Sequence, residues 1–314
     1  MLVQLNYQGE IFTNSVSKSN LFFFYLIISE FFSSLFFEDL TKVTGIPSYS
    51  WFIVNEYGFI LIPSLIFLAI NKDLKYNVSL SPLKISSIAL VTLIGFFAIF
   101  LNLPIAILSN DMYRNFIGTQ MKPLYSLPYW QGLFIIAVTP TICEETAMRG
   151  VILSGYKSVD VKSAVMTNGF LFGMLHMNPN QFFYTFVGGM IFAYLVETTG
   201  SIFSSMIAHF LNNFMAFTVG YLMFSTKKPL KSSPHHFVIS LIVNLLISML
   251  MLFYIVLLFK KLRKISKKQP PVPTSIVLVK KATKTITWPL YASTLIFAGS
   301  MVFAQAIEKI HIFK

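Results

Sequence analysis

Few ionisable side chains fall inside the long apolar runs of this chain, and those that do are spaced as chemistry requires. In Cys143-Glu144-Glu145-Thr146-Ala147-Met148-Arg149, Glu145 and Arg149 stand four apart, which makes them neighbours on one helical face. A Glu–Arg pair there neutralises one charge and leaves Glu144 about 100° round the helix. His209 and Asn213 are also four apart and stack an imidazole over a carboxamide, while His176 closes another apolar run. A carboxylate, two imidazoles and an amide gathered in a dry site form a hydrolytic constellation.

The elements that must position these groups are membrane helices. Apolar runs predict spans near 21–37, 51–70, 85–108, 129–155, 163–177, 181–198, 201–224, 238–260 and 288–306, eight or nine in all. Glu144, His176, His209 and Asn213 then lie about 17, 20, 12 and 18 Å from the same membrane face, at 1.5 Å per helical residue. Taken singly, a Glu–Arg pair reads as a structural clamp, and a buried His or Asn as glue between helices. Three motifs at one depth on three helices shift the reading to function, because each buried ionisable group costs about 3 kcal/mol to insert. Glu30 and Glu56 stand alone on the first two spans, and Glu197 ends the sixth. Cys143 is a poor nucleophile beside two acids, and His235, His236 and His311 read as loop or terminal residues.

Composition agrees with a bundle in lipid. Of 314 residues, 55% are hydrophobic and 11% charged, against about a quarter charged in soluble domains. The chain carries 33 phenylalanines. These values exclude a disulfide scaffold, a nucleic-acid-binding domain and an aqueous globular enzyme. The 24 basic and 12 acidic residues leave a net charge of +12, which is read as setting orientation. Nine basic residues and no acid between 260 and 284 place that stretch in the cytoplasm. Alternation then puts the N-terminus, 71–84 and 156–162 there too, although Lys227, Lys228 and Lys231 fall on the opposite side. No basic n-region precedes the first span, so it does not read as a removable signal peptide. The basic stretch 262–287, with Pro270, Pro271 and Pro273, predicts a linker that anchors on anionic lipid. The expected organisation is 1–128 as N-terminal spans, 129–224 as the functional core, and 225–314 as C-terminal spans.

The motifs resemble a known family. Glu144-Glu145-x-x-x-Arg149, Phe172-x-x-x-His176 and His209-x-x-x-Asn213 are similar to the three signatures of the CPBP (Abi) intramembrane proteases. That family includes type II CAAX prenyl endopeptidases and bacteriocin-processing enzymes. The resemblance runs over roughly 129–217 and includes Gly150, Gly155-Tyr156, Gly173 and Thr199-Gly200-Ser201-Ile202. It implies an all-α polytopic protein with an intramembrane catalytic cavity. It also implies that Glu144 activates water, that His176 helps hold that water, and that His209 and Asn213 stabilise the oxyanion. Glu145, Arg149 and Phe172 then act as supporting residues.

The expected substrate is a membrane-associated, lipid-modified (CAAX-type) or bacteriocin-like peptide, with membrane lipid as the other partner and no nucleic acid. No cofactor is expected. The alternative is zinc held by Glu144, His176 and His209, but there is no His-Glu-x-x-His helix to support it. Two other functions compete with the protease reading: a bacteriocin-immunity protein with or without catalysis, and an ion-coupled transporter. A bacterial plasma membrane, with the N-terminus cytoplasmic, is the expected location.

Overall fold

The computed structural model describes residues 2–113, 116–226, 234–266 and 285–312. These residues are helical, joined by short turns, and the nearest approach to sheet among them is a single antiparallel bridge between Leu80 and Ser201. The principal helices are α1 (Leu2–Thr44), α2 (Ser48–Ile70), α3 (Ile85–Met112), α4 (129–155), α5 (Val161–Leu175), α6 (Pro179–Thr199), α7 (Ile202–Thr226), α8 (Pro234–Ser266) and α9 (Trp288–Ile312). Each expected span is therefore a helix. Among the described residues six stretches are long and apolar enough to cross a membrane: Ser15–Phe37, α2, α3, α6, α7 and Phe237–Ser266. The other three differ for visible reasons. Helix α4 carries Glu144, Glu145 and Arg149, α5 has only 15 residues, and the apolar part of α9 is the shorter Trp288–Phe303.

The helix ends follow local chemistry. Asp160 caps α5 by accepting from the Ser163 amide at 3.0 Å, and Asn178 caps α6 by accepting from the Asn180 amide at 2.9 Å. Pro179 opens α6, and Gly200 closes it in the left-handed conformation (φ +67°) that glycine adopts at little cost. Of the basic stretch 262–287, residues 262–266 continue α8 with Leu262 buried, and 267–284 lie outside the described residues.

Helices α5 and α6 approach closely because glycines line the seam. A Cβ on Gly169 would sit 2.9 Å from the Met190 nitrogen, one on Gly173 2.9 Å from the Phe182 carbonyl, and one on Gly189 2.9 Å from the Phe172 Cβ. Gly169 and Gly173 form the small-x-x-x-small pattern that lets membrane helices meet at backbone distance. The interior is filled by Phe23, Leu26, Ile27, Ile94, Met148, Ile152 and Leu171, all fully buried. Large apolar side chains also face outward along α8, among them Ile242, Leu246, Met249 and Phe253. An aqueous surface does not tolerate such a stripe, whereas hydrocarbon does.

One end of the bundle is tied together by the segments that alternation places on a common side. The Ile202 amide donates to the Ser79 carbonyl at 2.7 Å. Tyr156 Oη donates to Asn20 Oδ1 at 2.5 Å, and Asn20 Nδ2 in turn donates to the Thr285 carbonyl and Thr287 Oγ1, both at 2.9 Å.

Candidate active site

Helix α4 is not a regular α-helix where it matters. It passes through π-helical turns at Phe134–Val138 and Thr146–Ile152, and the acid pair lies between them on the α-helical stretch Thr139–Glu145. Such widened turns recur at functional sites because they re-aim side chains. Here Glu144 and Glu145 both face α7 and straddle one imidazole. Glu145 Oε1 lies 2.9 Å from His209 Nδ1, and Glu144 Oε2 lies 3.9 Å from His209 Nε2.

The bonds fix the imidazole's protons. A carboxylate only accepts, so His209 Nδ1 donates to Glu145. In neutral imidazole Nε2 is then an acceptor, and it receives Asn213 Nδ2 at 3.1 Å. On its other side Glu145 Oε1 accepts from Arg149 Nη1 at 2.8 Å, with both side chains fully buried. Arg149 Nη2 donates to the Gly189 carbonyl at 2.9 Å. A continuous polar chain therefore runs from α6 through Arg149 and Glu145 to His209 and Asn213. Pairing and hydrogen bonding of this kind are what make buried charge tolerable.

Two aromatic rings enclose this chain. The Arg149 guanidinium lies 4.6 Å from the Phe172 ring centroid and 5.5 Å from that of Phe192. Phe192 stacks on His209 at 5.2 Å and 21°, while Phe172 meets the same imidazole edge-on at 5.6 Å. Phe172 also touches His176 edge-on at 5.0 Å, which is how the fifth-span histidine joins the group. His176 ends α5 with its Nδ1 donating to the Phe172 carbonyl at 2.9 Å, so its Nε2 is free to accept. The next residue, Met177, takes φ +45°, a left-handed conformation uncommon for a side chain of its size, at the turn into α6.

Glu30 and Glu56 are not isolated, contrary to expectation. Asn55 holds Glu30: its Nδ2 donates to Glu30 Oε1 and its Oδ1 accepts from Ser33 Oγ, both at 2.8 Å. Glu56 is 3% exposed and lies near Cys143 and Glu144. A π-helical turn at Asn55–Leu61 aims it there. One carboxylate oxygen of Glu56 and one of Glu144 are buried without a hydrogen-bond partner among the described residues. Cys143 is fully buried. Glu197 is paired with Lys157 at 2.5 Å. The side chains of His235, His236 and His311 lie outside the described residues.

The zinc alternative would draw its ligands from Glu144, His176 and His209. Among the described residues no three His, Cys, Asp or Glu side chains are disposed to hold a metal ion. His209 has committed both nitrogens, to Glu145 and Asn213, and His176 has committed Nδ1 to the backbone.

A shallow apolar cavity of about 470 Å³ lies open on the outside of the bundle between α3, α4 and α7. Its walls include Thr141 and Ile142, one turn before the acid pair, and Phe210 and Leu211, beside His209.

With the acid pair, the fifth-span histidine and the His–Asn pair in place, the segment holding them can be compared with known proteins. Residues 126–215 match the family described as type II CAAX prenyl endopeptidase, Rce1-like. The match contains all three motifs and bears out the resemblance read from them. No curated protein and no solved structure matches the chain. The Rce1-like segment supports a CAAX-type membrane endopeptidase, hence a peptide substrate met in a membrane setting. Sequence reasoning missed three contributors within the same segment or facing it. Gly189 carried a weak signal in the Gly188-Gly189 pair, Glu56 carried one as an acid in a span, and Phe192 carried none.

Proposed function

We propose that the protein hydrolyses a peptide bond of a lipid-modified, CAAX-type peptide at the membrane, using water activated by Glu144. The observation that carries the reading is the placement of two acids on the two nitrogens of His209, one bonded and one at 3.9 Å. At that separation Glu144 Oε2 is not bonded to the ring, and it is buried without a hydrogen-bond partner among the described residues, which leaves it to accept from a water molecule.

Glu144 takes a proton from this water as its oxygen attacks the scissile carbonyl carbon. The carbonyl oxygen gains the charge, and the second N–H of Asn213 Nδ2 is the ready donor to it. His209 donates there from Nε2 only when both its nitrogens carry protons, and the Nδ1 bond to Glu145 orients the ring for that role. Glu144 then returns its proton to the amide nitrogen as the C–N bond breaks. His176 Nε2 is available to hold the water. Glu145, Arg149 and Phe172 position His209 rather than react. The apolar cavity beside Thr141 and Ile142 supports a substrate with a hydrocarbon modification, since its walls offer an isoprenoid chain contact without polar cost.

The test uses the full chain in nanodiscs with a fluorogenic farnesylated CAAX peptide. Wild type should cleave it, and Glu144→Gln should lose about 10²–10⁴-fold in kcat while retaining its unfolding temperature. Activity should also persist after exhaustive chelation. Full activity in Glu144→Gln, or loss on chelation restored by zinc, would overturn the proposed mechanism.

A further inference from the structure

A second cavity, of about 380 Å³, opens at the end of the bundle where the basic residues gather. It is lined by Val161, Tyr194, Glu197, Thr198, Arg263 and Ser266, from the start of α5 and the last turns of α6 and α8. It is remote in kind from the site above and shares none of its residues. We infer that this cavity binds the phosphate headgroup of an anionic phospholipid.

Charge is the first argument. Arg263 lies 5.1 Å from the Tyr194 ring centroid and makes no ion pair with any described acid. Its guanidinium is thus held against the cavity wall with its fork of donors unspent. The one acid in the lining, Glu197, is already neutralised by Lys157 at 2.5 Å. Lys260, Lys261 and Lys264 are exposed on the same turns of α8, and no acid occurs between 260 and 266. An arginine fork flanked by the Thr198 and Ser266 hydroxyls suits a phosphate oxygen set.

Position is the second argument. Helix α8 is lipid-facing along most of its length, with Leu252, Phe253, Val256 and Leu257 exposed directly below the basic turns. A ligand seated at Arg263 can lay acyl chains along that apolar flank, which a free anion cannot use. Tyr194 packs on Phe259 at 4.7 Å and forms the aromatic shoulder between the two zones. Basic pockets between membrane helices on the positively charged side take such headgroups, and the interfacial place of Tyr beside Arg fits that boundary.

The test is native mass spectrometry of the full chain released from detergent micelles doped with dioleoyl phosphatidylglycerol or dioleoyl phosphatidylcholine. Wild type should retain phosphatidylglycerol about tenfold more than phosphatidylcholine. Arg263→Gln should abolish that preference, whereas Lys264→Gln, which removes the same charge outside the cavity lining, should change it less than about twofold. Arg263→Lys, which keeps the charge and loses the fork, guards against misfolding of the first variant and should fall between the two. Equal loss in Arg263→Gln and Lys264→Gln would show diffuse attraction and sink the assignment. So would retention untouched by either Arg263 variant, or displacement of the lipid by millimolar inorganic phosphate.

Discussion

His209 Nδ1 sits 2.9 Å from Glu145 Oε1, and through that oxygen the imidazole of α7 is tied to the guanidinium of Arg149 on α4. One carboxylate oxygen thus serves a structural pair and the orientation of a candidate catalytic ring. The same link makes stability and activity separable.

Breaking the pair alone should be severe. Arg149→Met leaves Glu145 buried without its cation, a loss of about 3–5 kcal/mol where one partner of a buried pair is removed. The expected result is low yield and a reduced unfolding temperature. The double variant Glu145→Leu/Arg149→Met should regain much of the fold, yet stay inactive because His209 has lost its Nδ1 acceptor. Recovery of peptide cleavage in the double variant would show that this bond does not matter to the chemistry.

In the proposed mechanism Asn213 offers its remaining N–H to the reacting carbonyl. Asn213→Ala should therefore lower kcat about 10²–10³-fold, the worth of one oxyanion donor. KM for the farnesylated peptide should move little. A change confined to KM would assign Asn213 to substrate binding instead.

Phe192 lies against one face of the His209 ring and also against Arg149. Phe192→Leu keeps bulk but not the flat surface, and should reduce kcat by about tenfold through loss of orientation. Phe192→Tyr should restore most of it. Proton NMR of the His209 ring gives a readout independent of turnover, since the aromatic ring-current shift disappears in the Leu variant only if the stack exists.

Gly189 has no room for a methyl group: an added Cβ would lie 2.9 Å from the Phe172 Cβ and 3.0 Å from the Gly169 Cα. Gly189→Ala should cost about 1–3 kcal/mol by overpacking and displace the carbonyl that receives Arg149. Thermal unfolding in micelles measures the first effect, and the cleavage rate the second.

Much of this arrangement is legible in the sequence. Four-residue spacing put Glu145 beside Arg149 and His209 beside Asn213, and counting helical rise put the three motif helices' groups at one depth. Those inferences work because they depend on helix geometry alone. Glu30 and Glu56 were misjudged as solitary because their company depends on how α1 and α2 pack against α4, and on a π-helical turn that periodicity at 3.6 cannot foresee. Phe192 was invisible for a different reason. In a chain with 33 phenylalanines, the one that stacks on an imidazole looks like every other lipid-embedded ring.

The two π-helical turns that bracket Glu144 and Glu145 make the aim of these acids a matter of residue count as well as residue type. Each turn holds one more residue than an α-helical turn, so excising a single residue from Thr146–Ile152 lets the backbone relax into ordinary hydrogen bonding at little cost. The flanking segments would keep nearly the same rotation, but a residue lost between Thr146 and Met148 would bring Glu145 and Arg149 to three apart instead of four. Such a deletion would leave a sound helix whose buried pair is out of step, with the imidazole beside it losing its anchor.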